Sequence, residues 1–192
     1  MKKLTVHPVT PDRWQDFETL FGSNGGCGGC WCIWWRRTRS EFERKKGAGN
    51  KRAMKKIIAS GGVPGLIAYA GDEPVGWCAV APREDYPGLE RSRILAPVDD
   101  QSVWSITCFF IARGWRRRGV SAALIQAAAK HAQKHGAKII EGYPHIPKKD
   151  RATDAFIWTG VASAFAAAGF VEVARRSSHR PIMRRSLQAK RK

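Results

Sequence analysis

Two stretches of the sequence place residue types at spacings that could do chemistry. The first is "CFFIARGWRRRGVSAALIQAA", Cys108 to Ala128. An apolar run passes into a basic, glycine-containing turn, and small residues then open a helix. At a helix start the unpaired backbone N–H groups and the positive end of the helix dipole converge on one point. Arg116, Arg117 and Arg118 add positive charge there, Gly119 lets the backbone approach an anion closely, and Ser121, Ala122 and Ala123 keep side chains out of the way. Such a point binds phosphate. A Walker-type nucleotide loop is excluded, because no Gly-Lys-Ser/Thr stands at the required spacing.

The second stretch is "GGCGGCWCIWWRR", Gly25 to Arg37, with three cysteines, four glycines and three tryptophans. Cys27-x-x-Cys30-x-Cys32 offers three thiolates where a closed zinc site needs four. No second pair follows at ribbon spacing, and the next cysteine, Cys78, falls in a predicted strand, so no metal is expected. A redox Cys-x-x-Cys opens a helix after a strand, whereas this one sits in a glycine run. Trp31, Trp34 and Trp35 offer aromatic surface with N–H donors, suited either to packing the segment or to lining a pocket.

The elements that must hold these stretches can be read from periodicity and punctuation. "KLTVHPV" is a strand, and Thr10-Pro11 then starts a helix carrying Trp14, Phe17 and Phe21. Gly22 to Gly29 breaks that helix. The basic segment "RRTRSEFERKKGAG" is poorly specified. "NKRAMKKIIASGG" is an amphipathic helix with Ala53, Met54, Ile57 and Ile58 on one face. "GLIAYA" and "VGWCAVAP" form a hairpin across "GDEP". After a polar stretch, "VWSITCFFI" reads as a strand covered on both faces. The helix after the basic turn carries Val120, Ala123, Leu124, Ala127, Ala128 and His131 on one stripe and stops at Gly136. "AKIIEGYP" is a strand, "TGVASAFAAAGF" a helix, and "FVEVARR" with "HRPIMRR" a closing pair. The order is β-α-α-β-β-β-α-β-α-β-β, an α/β chain of mixed α+β type.

The chain has 192 residues, 43% of them hydrophobic, which suits one domain. The expected boundaries are 1–185 for the domain and 186–192 for a basic tail. No apolar run is long enough to span a membrane and no signal-like segment opens the chain, so a cytoplasmic protein is expected. Lys and Arg number 34 against 16 Asp and Glu, a net charge of +18. Anions should be drawn to such a surface, whether a phosphorylated cofactor or a nucleic acid.

Arg116-x-x-Gly119-x-Ser121, after an apolar strand and before an amphipathic helix, resembles the pyrophosphate loop of the GNAT N-acetyltransferases, whose pattern is Arg/Gln-x-x-Gly-x-Gly/Ala. Ser121 departs from the last position but is small. The element order follows the same plan, so the resemblance runs from about Lys3 to Arg185. The segment "GCWCIWWR" also resembles one found in a branch of GNAT-like proteins.

The resemblance implies a mostly antiparallel sheet splayed between its fourth and fifth strands, with acetyl-CoA as co-substrate. Backbone groups of Phe109, Phe110 and Ile111 would pair with the pantetheine arm, and Arg116 through Ala122, Val120 included, would hold the pyrophosphate. The acyl group would pass directly to an amine of a small molecule or a peptide. Glu141, on the strand across the splay, is the first candidate for the base, with apolar neighbours expected to raise its pKa. Glu84 and Asp85 are the alternatives. Many members of the family protonate the CoA sulfur with a tyrosine in the last conserved helix region; none stands between Phe156 and Phe170 here, and Tyr143 is the substitute. His145 lies in a loop near the acceptor, where a lone histidine is more often structural. Trp31, Trp34 and Trp35 fall where the family builds acceptor specificity. Two further readings follow from the charge: an acyltransferase that uses aminoacyl-tRNA, or a basic RNA-binding module without turnover. A monomer or a homodimer fits equally.

Overall fold

The computed structural model describes residues 3–147 and 157–188. Its strands are β1 (Leu4–Pro8), β2 (Gly65–Ala70), β3 (Glu73–Pro82), β4 (Trp104–Ile111), β5 (Ile139–Gly142), β6 (Val171–Arg175) and β7 (Pro181–Ser186). Its helices are α1 (Trp14–Phe21), α2 (Arg39–Arg44), α3 (Ala48–Ala59), α4 (Pro87–Glu90), α5 (Val120–Lys134) and α6 (Ala162–Ala167). The strands form one sheet in the order β1-β2-β3-β4-β5-β7-β6. Every pairing is antiparallel except β4 with β5. The mixed α/β sheet expected from the sequence is therefore the one observed.

The additions to the expected order are α4 and α2, the latter inside the segment that periodicity left unspecified. Its cause is local: the Thr38 side chain accepts from the Glu41 N–H while the Glu41 carboxylate accepts from the Thr38 N–H, a capping box that satisfies two otherwise orphaned donors. Both faces of the sheet are covered. Val120, Leu124, Ile125, Ala128, Ala129 and Ala132 of α5 pack with Phe165 of α6 onto one face. The buried stripe thus includes Ile125, Ala129 and Ala132 in place of the expected Ala123, Ala127 and His131. Phe17, Phe21, Trp31, Met54 and Ile58 cover the other face around Trp77. A third cluster, with Tyr86, Leu89, Leu95 and Tyr143, lies at the β5–β7 end.

One close approach matters for the site. A Cβ on Gly76 of β3 would stand 2.6 Å from Val120, so only glycine lets the start of α5 lie this tightly on the sheet. At the other end of the chain, β7 runs to Ser186 and the buried Leu187 donates its N–H to the Lys138 carbonyl, so sheet contacts continue past residue 185. The basic tail beyond residue 188 lies outside the described residues. No helix among the described residues is long and apolar enough to cross a membrane.

Candidate active site

β4 and β5 pair only through Trp104↔Ile140, Ser105↔Glu141 and Ile106↔Gly142. A bulge lies where they part: Ala79 opposes Cys108 and Val80 opposes Ile106, leaving Thr107 as the extra residue on β4. An extra residue bends its strand and re-aims the side chains there. Beyond it β4 continues to Ile111 with its β5-facing edge free of strand pairing.

That free edge leads straight into the basic turn. Arg117 (φ 59°) and Gly119 (φ 79°) both take left-handed conformations, and α5 begins at Val120. The first intrahelical bond at this end runs from the Ala123 N–H to the Gly119 carbonyl. The N–H groups of Val120, Ser121 and Ala122 therefore precede the ladder and point out of the helix start. Arg118 lies over the Trp115 ring, 5.5 Å from its centre, and Trp115 donates to Glu73 at 3.2 Å. Arg116 reaches back to the Ile111 carbonyl at 3.3 Å. Left-handed backbone, a 15-residue helix and three arginines make an anion cradle at the end of β4.

Of the three β4 residues expected to meet a pantetheine arm, Phe109 and Ile111 direct backbone groups to the open edge and Phe110 does not. The Ala112 N–H bonds to Val75 of β3, and by strand alternation Phe110 faces β3 as well. The Phe109 N–H is not free: it donates to the Trp158 carbonyl at 2.6 Å.

Glu141 sits where expected in the sheet but not among the neighbours expected of it. It is buried, and its Oε1 accepts from Arg184 Nε at 2.5 Å. Its Oε2 accepts from Tyr143 Oη at 2.8 Å and faces Arg83 Nη1 at 3.5 Å. The surroundings are ionic rather than apolar, because Arg83 and Arg184 arrive from outside β5. Tyr143 in turn meets Ser105 at 2.8 Å and Arg83 at 2.7 Å. Burial, and then the Glu141 charge, push its phenol well above the usual range. Arg184 also grips Asp99 through two nitrogens, and that hydrogen bond brings the Asp99 carboxyl down to about 2. Glu84 is exposed on the turn after β3, while Asp85 beside it bonds Arg36 at 3.0 Å. His145 follows β5, bridges to Val161, and lies 5.3 Å from the His179 ring. Burial, His179 and Arg180 lower its pKa from the ordinary histidine value.

The tryptophans separate into two groups. Trp31 is buried beneath α1, stacked on Phe21 and Trp14. Its edge reaches only a depression of about 360 Å³ lined by residues such as Glu18, Gly47 and Lys51. Trp34 and Trp35 instead gather around Trp158, at 6.4 and 6.1 Å between ring centres, and Arg180 lies over Trp158 at 5.6 Å. Arg36 lies over Tyr86 at 4.6 Å. The cysteines separate too. Cys27 is exposed, whereas Cys32 Sγ stands 3.0 Å from Cys108 Sγ at the β4 bulge and accepts from Trp77 Nε1 at 2.9 Å. A hydrogen bond from Cys32 brings the Cys30 thiol down to about 6, while burial pushes Cys32 up. Among the described residues no group of three or more His, Cys, Asp or Glu is placed to hold a metal ion.

The residues that sequence reasoning missed are Arg36, Tyr86, Trp158, Arg180 and Arg184. Only Arg36 carried a signal, as the residue after two tryptophans in the stretch already singled out.

A mixed sheet whose single parallel pair parts beside an anion cradle defines an acyl-CoA-dependent N-acyltransferase architecture. Residues 28–154 match the family model described as Acetyltransferase (GNAT) family, and the chain belongs to that family. Among solved structures it is similar to PaiA N-acetyltransferase from Thermoplasma acidophilum in complex with coenzyme A, at 12% identity and TM-score 0.54 over 96% of this chain and 99% of that one. It is similar to an N-acetyltransferase from Staphylococcus aureus Mu50 at 8% identity and TM-score 0.56, over 97% and 99% of the two chains. An acetyltransferase of the GNAT family from Listeria monocytogenes 4b F2365 gives 8% identity and TM-score 0.55, over 95% and 94%. Among curated proteins none matches.

Proposed function

We propose that the chain transfers an acetyl group from acetyl-CoA directly to a primary amine. The observation that carries this reading is the continuity of the free β4 edge with the cradle of Val120, Ser121 and Ala122 amides. A pyrophosphate on those amides, with Arg116, Arg117 and Arg118 around it, would lay the pantetheine along Ile111 and Phe109. For the thioester to reach the Phe109 N–H, the Trp158 carbonyl must release it. That donor would then stabilise the oxygen on which charge builds as the amine attacks. Holding both reactants side by side supplies much of the acceleration. The carbon–nitrogen bond forms, the carbon–sulfur bond breaks, the amine loses its proton to a base and the thiolate takes one up.

The base we propose is His145. Its neutral form is favoured by its surroundings, and it follows the strand that parts from β4. Glu141 and Tyr143 are positioning residues in this reading: with every oxygen occupied, they fix Arg83, Arg184 and Ser105 beneath the cleft. Glu84 is the alternative base. Trp34 and Trp35 line the acceptor side, and Trp31 packs α1 to the sheet.

Titration calorimetry with acetyl-CoA tests the reading. Saturable binding at one site per chain, with a rise in melting temperature, is expected. Absence of both overturns it.

A further inference from the structure

Among the described residues, six buried side-chain nitrogen and oxygen atoms have no hydrogen-bond partner. All six belong to the neighbourhood of Trp158 and Tyr86. They are Trp35 Nε1, Arg36 Nη2, Tyr86 Oη, Thr159 Oγ1, and both Nε and Nη2 of Arg180. Buried polar groups are nearly always paired, because an unmade bond forfeits the water it had when unfolded. Six such atoms in one place, four of them N–H donors, describe a site suited to an acceptor.

The identity of the donors narrows what that acceptor is. Nε and Nη2 of one guanidinium form its side-on fork, spaced to meet the two oxygens of a carboxylate or of a phosphate. Arg180 presents this fork unpaired, with its guanidinium over the Trp158 ring and no acidic partner among the described residues. Arg36 spends one nitrogen on Asp85 and leaves the other open. Burial lowers the pKa of Arg180, the mark of a cation held away from water without a counter-charge. A neutral carbonyl would satisfy the hydrogen bonds and leave that charge uncompensated; an oxyanion does both.

Position sets Arg36 apart from the place proposed for the cofactor's phosphates. Tyr86 follows the turn after β3, whose last pair is Pro82 with Trp104, so Arg36 stands toward the first residues of β4. The anion cradle lies past Ile111, at the opposite end. We infer that Arg180, Arg36 and Trp35 form a recognition site for an oxyanion, a carboxylate or a phosphate, on the amine that accepts the acetyl group, with Trp34 and Trp158 as the apolar walls for the carbon chain between. This rests on the acetyltransferase reading and adds the acceptor class to it: an amino acid or another amine that carries its own negative charge. The net charge of +18 draws such acceptors toward the surface.

The test measures thiol release from acetyl-CoA with three matched sets of amines: free amino acids, their carboxamides, and aminoalkylphosphonates. One charged set should exceed the carboxamides by on the order of 100-fold in kcat/KM, and which one tells carboxylate from phosphate. Arg180→Gln should raise KM for that set by roughly 30-fold, leave KM for acetyl-CoA unchanged, and cut the preference for that set over the carboxamides by a similar factor. Arg180→Lys should restore only part, since an ammonium lacks the fork. Quenching of tryptophan emission by the N-acetylated acid, and not by its amide, reports the same site without turnover. Carboxamides that match or beat the charged amines, or acetylation of none of the three sets by a protein that binds acetyl-CoA, overturns the inference. A protein that fails to bind acetyl-CoA removes the transferase reading itself.

Discussion

The two ends of the proposed cleft, the cradle and the acceptor end, are built by opposite means. At the cradle, one continuous segment from Arg113 to Ala122 supplies everything, and the donors aimed outward are backbone amides of Val120, Ser121 and Ala122. At the acceptor end, Arg36, Tyr86, His145, Trp158 and Arg180 come from five separate parts of the chain, and the donors are side chains. A backbone site survives most side-chain changes and fails when the backbone or the local charge is altered. A side-chain site fails at single truncations.

The largest expected effect breaks the first half of that contrast. Gly119→Asp places a carboxylate beside the amides and puts a side chain on a residue with φ 79°. Acetyl-CoA affinity in calorimetry should fall by roughly 100-fold or more, with far-UV circular dichroism unchanged. Arg118→Ala should cost about tenfold or less, because the amides remain. Equal losses for the two variants would mean that the cradle, too, is made of side chains.

The next effect tests the proton path at the acceptor end. His145→Asn should keep acetyl-CoA affinity and lower kcat by about 100-fold, the usual scale of general acid–base contributions. In the wild type the rate should fall as pH drops through the His145 pKa, which burial, His179 and Arg180 set below the ordinary histidine value. That acidic limb should vanish in the variant. If it persists there and vanishes instead in Glu84→Gln, Glu84 is the base.

How far each end could be read in the sequence follows from the same contrast. The strand, turn and helix start proposed as the cradle were legible because their determinants are neighbours in the chain: an apolar strand, Arg116 to Gly119, then Ser121 and Ala122. The order of the long elements was legible for the same reason, each being a local periodicity. The α2 helix escaped because its amphipathic signal is short, although Thr38 and Glu41 carried a cap signature. The acceptor end stayed hidden because nothing local ties Arg180 to Trp158 or Arg184 to Glu141. The expectation that Glu141 lies among apolar residues came from its own strand, "KIIEGYP"; the arginines that surround it are supplied by β7 and the turn after β3.

Glu141 itself gives the third effect, on stability rather than chemistry. Replacing it by glutamine takes away the carboxylate that Arg83 and Arg184 share and leaves them only Glu90 and Asp99. Losing those charged hydrogen bonds costs about 1.5–3 kcal/mol, or roughly 3–12 °C in melting temperature for a chain of this size. Differential scanning calorimetry should show that loss, and the acidic limb of the rate profile should remain. An unchanged melting temperature with a vanished limb would return Glu141 to the role of base.

The smallest effect sharpens the comparison by locating the border between the two ends, at the β4 bulge where Cys30, Cys32 and Cys108 come together. Donation from the Cys32 thiol favours the Cys30 thiolate and brings its pKa to about 6, against 9.0 for an ordinary thiol. The thiolate is the form that alkylates. Cys30 should therefore react with iodoacetamide at a rate that rises through pH 6 and levels off near neutrality, with Cys27, exposed and outside the cluster, as a second labelled thiol in the same chain. Cys32→Ala removes the donor, so the Cys30 midpoint should move up toward the ordinary thiol value of 9.0. Peptide-resolved mass spectrometry separates the two residues. A Cys30 midpoint that stays near 6 in the variant would assign the effect to the backbone N–H groups of Cys27, Cys30 and residue 32 rather than to the Cys32 thiol, and would make this border, like the cradle, a product of main-chain geometry.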